Sequence, residues 1–390
     1  MTSPSDEQFG ASTPAGRRGL RLQAVVLLAS LAVGFGLALS GMLAPASRHS
    51  LMQNATTEAI MTGKMEAVVN DILANHLPVG RALRATAGML RWRVFGSGGA
   101  QVWVGQRDWL YIIDEMRTWP DTDAIMAHRA DILAQVAQRL RARHVDLVVA
   151  IVPDKGRVVV APMNGPRSSQ AERRLPAWLA LLGQRGVSAV NLYDSFIRTA
   201  PVESLFWRTD THWSQPGAQL AARTIAARVS TDIDRSHRFV TIEDAQESDG
   251  PGDLLRLMSL DGVPDRLLIR LRPAIDRQHR AHTAEMSGQP TAPAAGGLLD
   301  ETPAPEVALI GSSYSLNANF GGYLEEALGA PVLNTAKLGG GFAKAAAAYF
   351  TSDGFRTAPP RLVIWEMPER KLNQPLTEED AVLAAWAAHG

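Results

Sequence analysis

Apolar positions along the chain fall into three patterns, and each predicts a different kind of structure. From Ala24 to Ala44 there is no charged residue. About 20 apolar residues in a helix span roughly 30 Å, the thickness of a bilayer's hydrocarbon core. The polar stretch before it, residues 1–23, ends in Arg17, Arg18 and Arg21. It reads as a disordered tail that the positive-inside rule keeps in the cytoplasm, so that the rest of the chain is exported. Two other readings fit the same residues. Ala44-Pro45-Ala46 offers the small residues of a signal-peptide cleavage site, and a long apolar helix can also lie in a core.

The second pattern covers residues 45–94. Met65, Val68, Val69, Ile72 and Leu73 recur at three-to-four spacing, which predicts a helical linker. Gly96-Ser97-Gly98-Gly99 ends it. The third pattern runs from 95 to 390. Val102–Gly105 and Trp109–Ile113 predict a short hairpin. Short continuous apolar runs follow at Leu147–Val152, Val307–Ile310, Val332-Leu333 and Leu362–Trp365, with a further strand predicted at Ser188–Leu192. Between them, amphipathic helices are predicted at Asp123–Arg143, Arg174–Leu182, Pro216–Val229, Tyr323–Leu328, Ala343–Tyr349 and Glu378–Ala388. Buried strands alternating with helices imply an α/β fold, a mostly parallel sheet flanked by helices. Residues 231–305 interrupt this rhythm. Asp244–Gly252 and Gln289–Pro305 are polar or rich in Pro, Ala and Gly and predict loops, with a short helix at Asp253–Leu260.

Composition narrows the chemistry. The formal net charge is 0, so no overall field draws in nucleic acid. Cysteine is absent, which excludes a disulfide framework and a thiol nucleophile. Ligands of a parallel sheet bind beyond the carboxyl ends of its strands. Two segments there carry the chemistry of acyl transfer. Asp210-Thr211-His212 supplies an acid and an imidazole close in sequence, and Gly311-Ser312-Ser313-Tyr314-Ser315 follows an apolar strand with three serine hydroxyls. Ser312 and Ser315 compete with Ser313 as nucleophile, and any of the three could simply satisfy a strand end. Asp210 and Ser214 could equally cap the helix that follows. Asp-x-His offers two metal ligands with no neighbouring His or Cys to complete a set, so neither a metal nor a cofactor is expected.

Around these lie candidates for oxyanion or substrate contacts. Gly339, Gly340 and Gly341 allow a backbone to approach closely, though no phosphate-loop spacing is present. Asn317 has an amide to offer, as does Asn319. Lys155 and Arg157 lie beyond a strand end, where they could meet an acidic sugar or only solvent. Trp213 could wall one side of the site beside Tyr314; for Trp103 and Trp109 core packing is the simpler reading.

These segments resemble the alginate O-acetyltransferases of the AlgJ/AlgX kind, a branch of the SGNH hydrolase-like fold. Five segments carry the resemblance: Val104–Leu110, Val152–Val158, Thr209–Trp213, Gly311–Ser315 and Trp365–Arg370. It covers roughly residues 95–375 and implies a permuted form of that fold, in which the Asp-His pair precedes the serine. It also implies Ser313 as nucleophile, His212 as base and Asp210 as the carboxylate that orients it. The oxyanion donors would be the Ser313 N–H, an amide from Gly339–Gly341 and the Asn317 side chain. The implied acceptor is an extracytoplasmic polysaccharide, alginate or similar. Acetyl would arrive with the help of a multi-pass membrane O-acyltransferase, within an exopolysaccharide assembly complex at the inner membrane. The same residues would serve a polysaccharide O-acetyl esterase, and a non-catalytic scaffold of such a complex is the third reading.

Overall fold

The computed structural model describes residues 14–77, 80–250, 252–260, 273–286 and 304–388. The chain divides into two units, residues 1–87 with 262–265, and residues 88–261 with 266–390. In the first unit a helix runs from Pro14 to Leu43, so its start lies well inside the segment expected to be tail. Its stretch Gln23–Leu43 is long and apolar enough to cross a membrane. Val25, Leu28, Leu31 and Phe35 on it are exposed. The linker is not one helix. Helices Pro45–Asn54, Thr57–Met61, Lys64–Asn75 and Gly80–Phe95 follow one another, the last ending in the second unit. Thr56 caps the second of these by accepting the Ala59 N–H, and Gly63, at φ 75°, starts the third from the left-handed region that glycine favours.

The second unit is built on a five-stranded parallel sheet. Two short strands come first, β1 (Val102–Val104) and β2 (Leu110–Ile112), paired as the predicted antiparallel hairpin. The sheet strands are β3 (Asp146–Val152) and β4 (Ala189–Asn191) and, after a separate hairpin of β5 (Phe239–Asp249) and β6 (Arg277–Glu285), β7 (Val307–Ile310), β8 (Val332–Asn334) and β9 (Leu362–Pro368). The order across the sheet is β4-β3-β9-β7-β8, and every pairing in it is parallel. All seven residues of β9 are buried, as its central place demands.

Alternate residues of each strand point to opposite faces, and both faces are covered. Val149, Ile151, Ile310, Val363 and Trp365 pack under helices Thr122–Ala142, Ser169–Gln184, Lys344–Phe350 and Glu378–Ala388. Ala150, Val152, Leu309 and Ile364 pack with residues of helices Gln215–Ala226 and Phe320–Leu328. This is the α/β architecture the alternation predicts, with helix ends moved by a few residues.

The insertion differs from its expectation. Asp244–Gly252, expected as loop, lies largely in β5, which pairs antiparallel with β6 across an irregularity between Glu243 and Glu247. Both strands are mostly exposed on both faces, so no alternation of apolar residues marks them. The helix at 253 spans Asp253–Leu257. The expected loop Gln289–Pro305 lies, apart from its last two residues, outside the described residues.

Candidate active site

The site forms where β7 ends. Gly311 follows the strand, and a Cβ there would sit 2.3 Å from the Ser315 hydroxyl and 2.6 Å from Glu366 Oε2, so only glycine fits. Ser312 is extended and its hydroxyl accepts the Tyr314 N–H, opening a short 3-10 turn over Ser313–Leu316. Ser312 and Ser315 are buried, whereas Ser313 is part-exposed. The two buried hydroxyls both turn to Glu366 of β9. Its carboxylate accepts the Ser312 N–H at 2.7 Å, the Ser312 hydroxyl at 3.0 Å and the Ser315 hydroxyl at 2.9 Å. Burial raises the Glu366 carboxyl against the lowering effect of these three donors. Ser312 and Ser315 thus bind the carboxylate beneath the turn, and Ser313 is the part-exposed serine of the three.

That one meets the imidazole. Ser313 Oγ is 2.7 Å from His212 Nε2, and His212 Nδ1 is 2.6 Å from Asp210 Oδ1. The same Asp210 oxygen accepts the His212 backbone N–H at 2.9 Å, a local turn that aims the carboxylate at its neighbour's ring. Burial alone would raise the Asp210 carboxyl, but the hydrogen bond and charge of His212 bring it down to about 2. A proton can pass from the hydroxyl to the imidazole while the carboxylate steadies the ring. Asp253, which the sequence did not single out, closes the group from the insertion. Its N–H donates to Asp210 Oδ2 at 2.6 Å and its carboxylate accepts the Thr211 N–H at 2.7 Å. Asp210, His212 and Asp253 could each offer one ligand atom to a metal. The short bond of Nδ1 to Asp210 gives that nitrogen another use.

The remaining candidates mostly take structural places. Lys155 is not at a rim. It is fully buried, with Nζ donating to the carbonyls of Leu110 and Trp207 at 2.6 Å and of Arg208 and Asp210 at 3.0 Å. Burial lowers its ammonium to about 8. Arg157 does not face an acidic sugar either; it forms a two-pronged pair with Glu369 at 2.7 and 2.8 Å. Beside it Asp154 accepts from Arg167 at 2.8 Å and from Arg174, both buried. Trp213 is fully buried against Tyr314 and Phe320, so it walls nothing that solvent reaches. Tyr314, also buried, donates to the Thr211 carbonyl at 2.9 Å, receives Arg370 at 3.2 Å and lies edge-on to His212 at 5.0 Å. Its ring faces the imidazole and not solvent.

Of the glycines, Gly340 has the close approach expected, but to the protein's own chain. A Cβ there would lie 2.8 Å from the Gly311 carbonyl, and its N–H donates to Lys337 O at 2.9 Å. Gly339 and Gly341 turn through φ 64° and 57° beside it. Asn317 gives its amide to the Ser313 carbonyl at 2.7 Å. It also lines, with Trp207, Gln215, Gln278, Arg280 and Leu316, a cavity of about 350 Å³ between the serine turn and the β5–β6 hairpin.

A strand-end serine hydrogen-bonded to a histidine whose acid lies two residues before it is set on a parallel sheet. The family model described as SGNH hydrolase-like domain, acetyltransferase AlgX matches residues 102–369. The chain belongs to this AlgJ/AlgX family. It is 30% identical over 328 residues to the probable alginate O-acetylase AlgJ of Pseudomonas aeruginosa, covering 82% of each chain. To the alginate biosynthesis protein AlgX of Pseudomonas fluorescens it is 29% identical over 281 residues, 69% of this chain and 56% of that one. Among solved structures it is similar to the O-acetyltransferase domain of Pseudomonas putida AlgJ, with TM-score 0.61 and 28% identity, covering 73% of this chain and 99% of that one. Pseudomonas aeruginosa AlgX shares the fold at TM-score 0.53 and 22% identity, over 74% of this chain and 66% of that one.

Proposed function

We propose that this AlgJ-like protein transfers acetyl groups to hydroxyls of an exported polysaccharide, alginate or a similar polymer, through an acetyl-serine at Ser313. The observation that carries the reading is the continuous relay from Asp210 through His212 to the accessible Ser313 hydroxyl. In the first half, Ser313 Oγ attacks the carbonyl of an acetyl ester and its proton goes to His212 Nε2. The leaving oxygen takes that proton, and acetyl stays on Ser313. In the second half a sugar hydroxyl gives its proton to His212 and attacks the acetyl carbonyl. Ser313 Oγ leaves and takes the proton back. Asp210 stabilises the imidazolium in both halves. The Ser313 N–H serves the developing oxyanion, with a backbone amide of the Gly339–Gly341 turn as second donor.

The cavity beside Asn317 and the β5–β6 hairpin is our acceptor groove, with Arg280 on its rim to meet a uronate. The helix Gln23–Leu43 anchors the chain in the inner membrane, with Arg17, Arg18 and Arg21 in the cytoplasm and the second unit in the periplasm. A single helix makes no acyl channel, so acetyl arrives through a multi-pass membrane O-acyltransferase. We read the order of Asp210, His212 and then Ser313 as a permuted arrangement of the SGNH fold.

The test is intact mass of the full chain in detergent after incubation with para-nitrophenyl acetate. The wild type gains about 42 Da, one acetyl, on Ser313, and Ser313→Ala gains none. Ester turnover unchanged in Ser313→Ala would refute the relay. Acetyl passing from the loaded protein to alginate oligosaccharides separates a transferase from an esterase, which releases it to water.

A further inference from the structure

We infer that Asp253, carried by the insertion rather than by the central fold, is a second carboxylate of the relay and positions Asp210 and His212 for reaction. The inference rests on the reading of Ser313, His212 and Asp210 given above.

Three contacts and one backbone turn support it. The Asp253 N–H donates to Asp210 Oδ2 at 2.6 Å, the oxygen that His212 does not use. The Asp253 carboxylate accepts the Thr211 N–H at 2.7 Å, so each acid holds the other's segment in a reciprocal stitch. Its second oxygen lies 3.8 Å from His212 Nδ1. Gly252, at φ 64°, turns the chain through the left-handed region just before Asp253. An acid that only capped its own short helix would not need to reach three consecutive residues of a segment some forty positions earlier.

The physical consequence follows from what each atom faces. Asp210 has one oxygen on the imidazole and the other on the Asp253 amide, so its plane is fixed and its Oδ1 stays in line with Nδ1. When His212 takes the serine proton, two carboxylates rather than one face the new positive charge. The charged groups facing Asp253 are Asp210 and His212 on the stitched segment and Lys155 after β3. Burial first, and then the Asp210 charge, raise the Asp253 carboxyl.

The experiment compares Asp253→Asn and Asp253→Ala with the wild type as full chains in detergent. Readouts are kcat/KM for para-nitrophenyl acetate from pH 5 to 9, the rate at which phenylmethylsulfonyl fluoride modifies Ser313, and the melting temperature. Asn keeps an oxygen for the Thr211 N–H and loses the charge. We expect kcat to fall about tenfold with KM little changed, and the acid limb of the profile to move down by about one pH unit. Ala keeps the backbone N–H on Asp210 but also loses the acceptor of the Thr211 N–H, and both turnover and serine modification should fall about a hundredfold. Variants that melt lower yet, while folded, keep the wild-type kcat/KM and pH profile would overturn the inference and leave Asp253 a structural residue. A wild type inert to both reagents would overturn the relay itself, a result that no Asp253 variant could mimic.

Discussion

Replacing Glu366 tests whether the serine turn is held from beneath. The carboxylate is fully buried and takes three donors, the Ser312 N–H and the hydroxyls of Ser312 and Ser315. In Glu366→Ala all three lose their acceptor in a site closed to water. A buried donor left unpaired costs about 1–3 kcal/mol. Hydroxyls can rotate to other acceptors and the backbone N–H cannot, so about 3–5 kcal/mol in total is a fair sum. At about 2–4 °C per kcal/mol for a domain of this size, the melting temperature should drop by roughly 10 °C. The serine should suffer too, because an error of about 1 Å in its place costs roughly a hundredfold in turnover. Glu366→Gln is the control. Its amide oxygen can take the place of Oε2 and keep the Ser312 N–H, while its NH2 can donate to the Ser312 hydroxyl. It should lose only about 1–2 kcal/mol. Thermal melting and para-nitrophenyl acetate turnover are measured on the same preparations. An Ala variant that melts within a degree of wild type and turns over ester normally would refute the reasoning, as would a Gln variant as damaged as the Ala one.

Lys155→Ala should destabilise the fold by about 3–5 kcal/mol, since it strips one buried cation from four carbonyls, and it should depress ester turnover because one of those carbonyls belongs to Asp210; a change under about half a kcal/mol in denaturant melts would return this side chain to the surface. Asp210 sets an acid limit. Its folded carboxyl, at about 2, lies below the ordinary value of about 3.9, so its stabilisation is complete above pH 4 and is lost as pH falls through 2, about 2–3 kcal/mol in all. The melting temperature of Asp210→Asn should therefore fall less steeply than that of wild type between pH 4 and pH 2, and parallel curves would contradict the assignment.

The central sheet was legible in the chain because its strands are buried on both faces and read as unbroken apolar runs, Leu147–Val152 and Val307–Ile310 above all. The β5–β6 hairpin was not, because its residues are mostly polar and exposed and, among the described residues, the two strands pair with each other alone. The site divides the same way. Asp210 and His212 stand out because their partnership is local. Ser313 could be told from Ser312 and Ser315 only by resemblance, since the residue that sorts them, Glu366, comes from a strand more than fifty positions on. Lys155 and Arg157 looked like surface cations because lone charges usually are. What buries them, Glu369 and a ring of backbone carbonyls, is brought in by distant segments. Asp253 was hidden for the same reason, at the start of a short helix in an insertion with no apolar rhythm.

The strand order has a consequence for how the sheet is completed. Strand β9 is the last to be synthesised and lies between β3 and β7. Until it arrives, β3–β4 and β7–β8 are two separate ribbons with no hydrogen bond between them. It also carries Glu366, and Glu369 follows at its end, so the serine turn and the Arg157 pair are completed in one docking event. The helix after His212 packs directly on the helix after Ser313, so what β9 adds is the support beneath the serine turn. Ending the chain before Leu362 should leave two half-sheets, with the serine turn lacking the carboxylate beneath it.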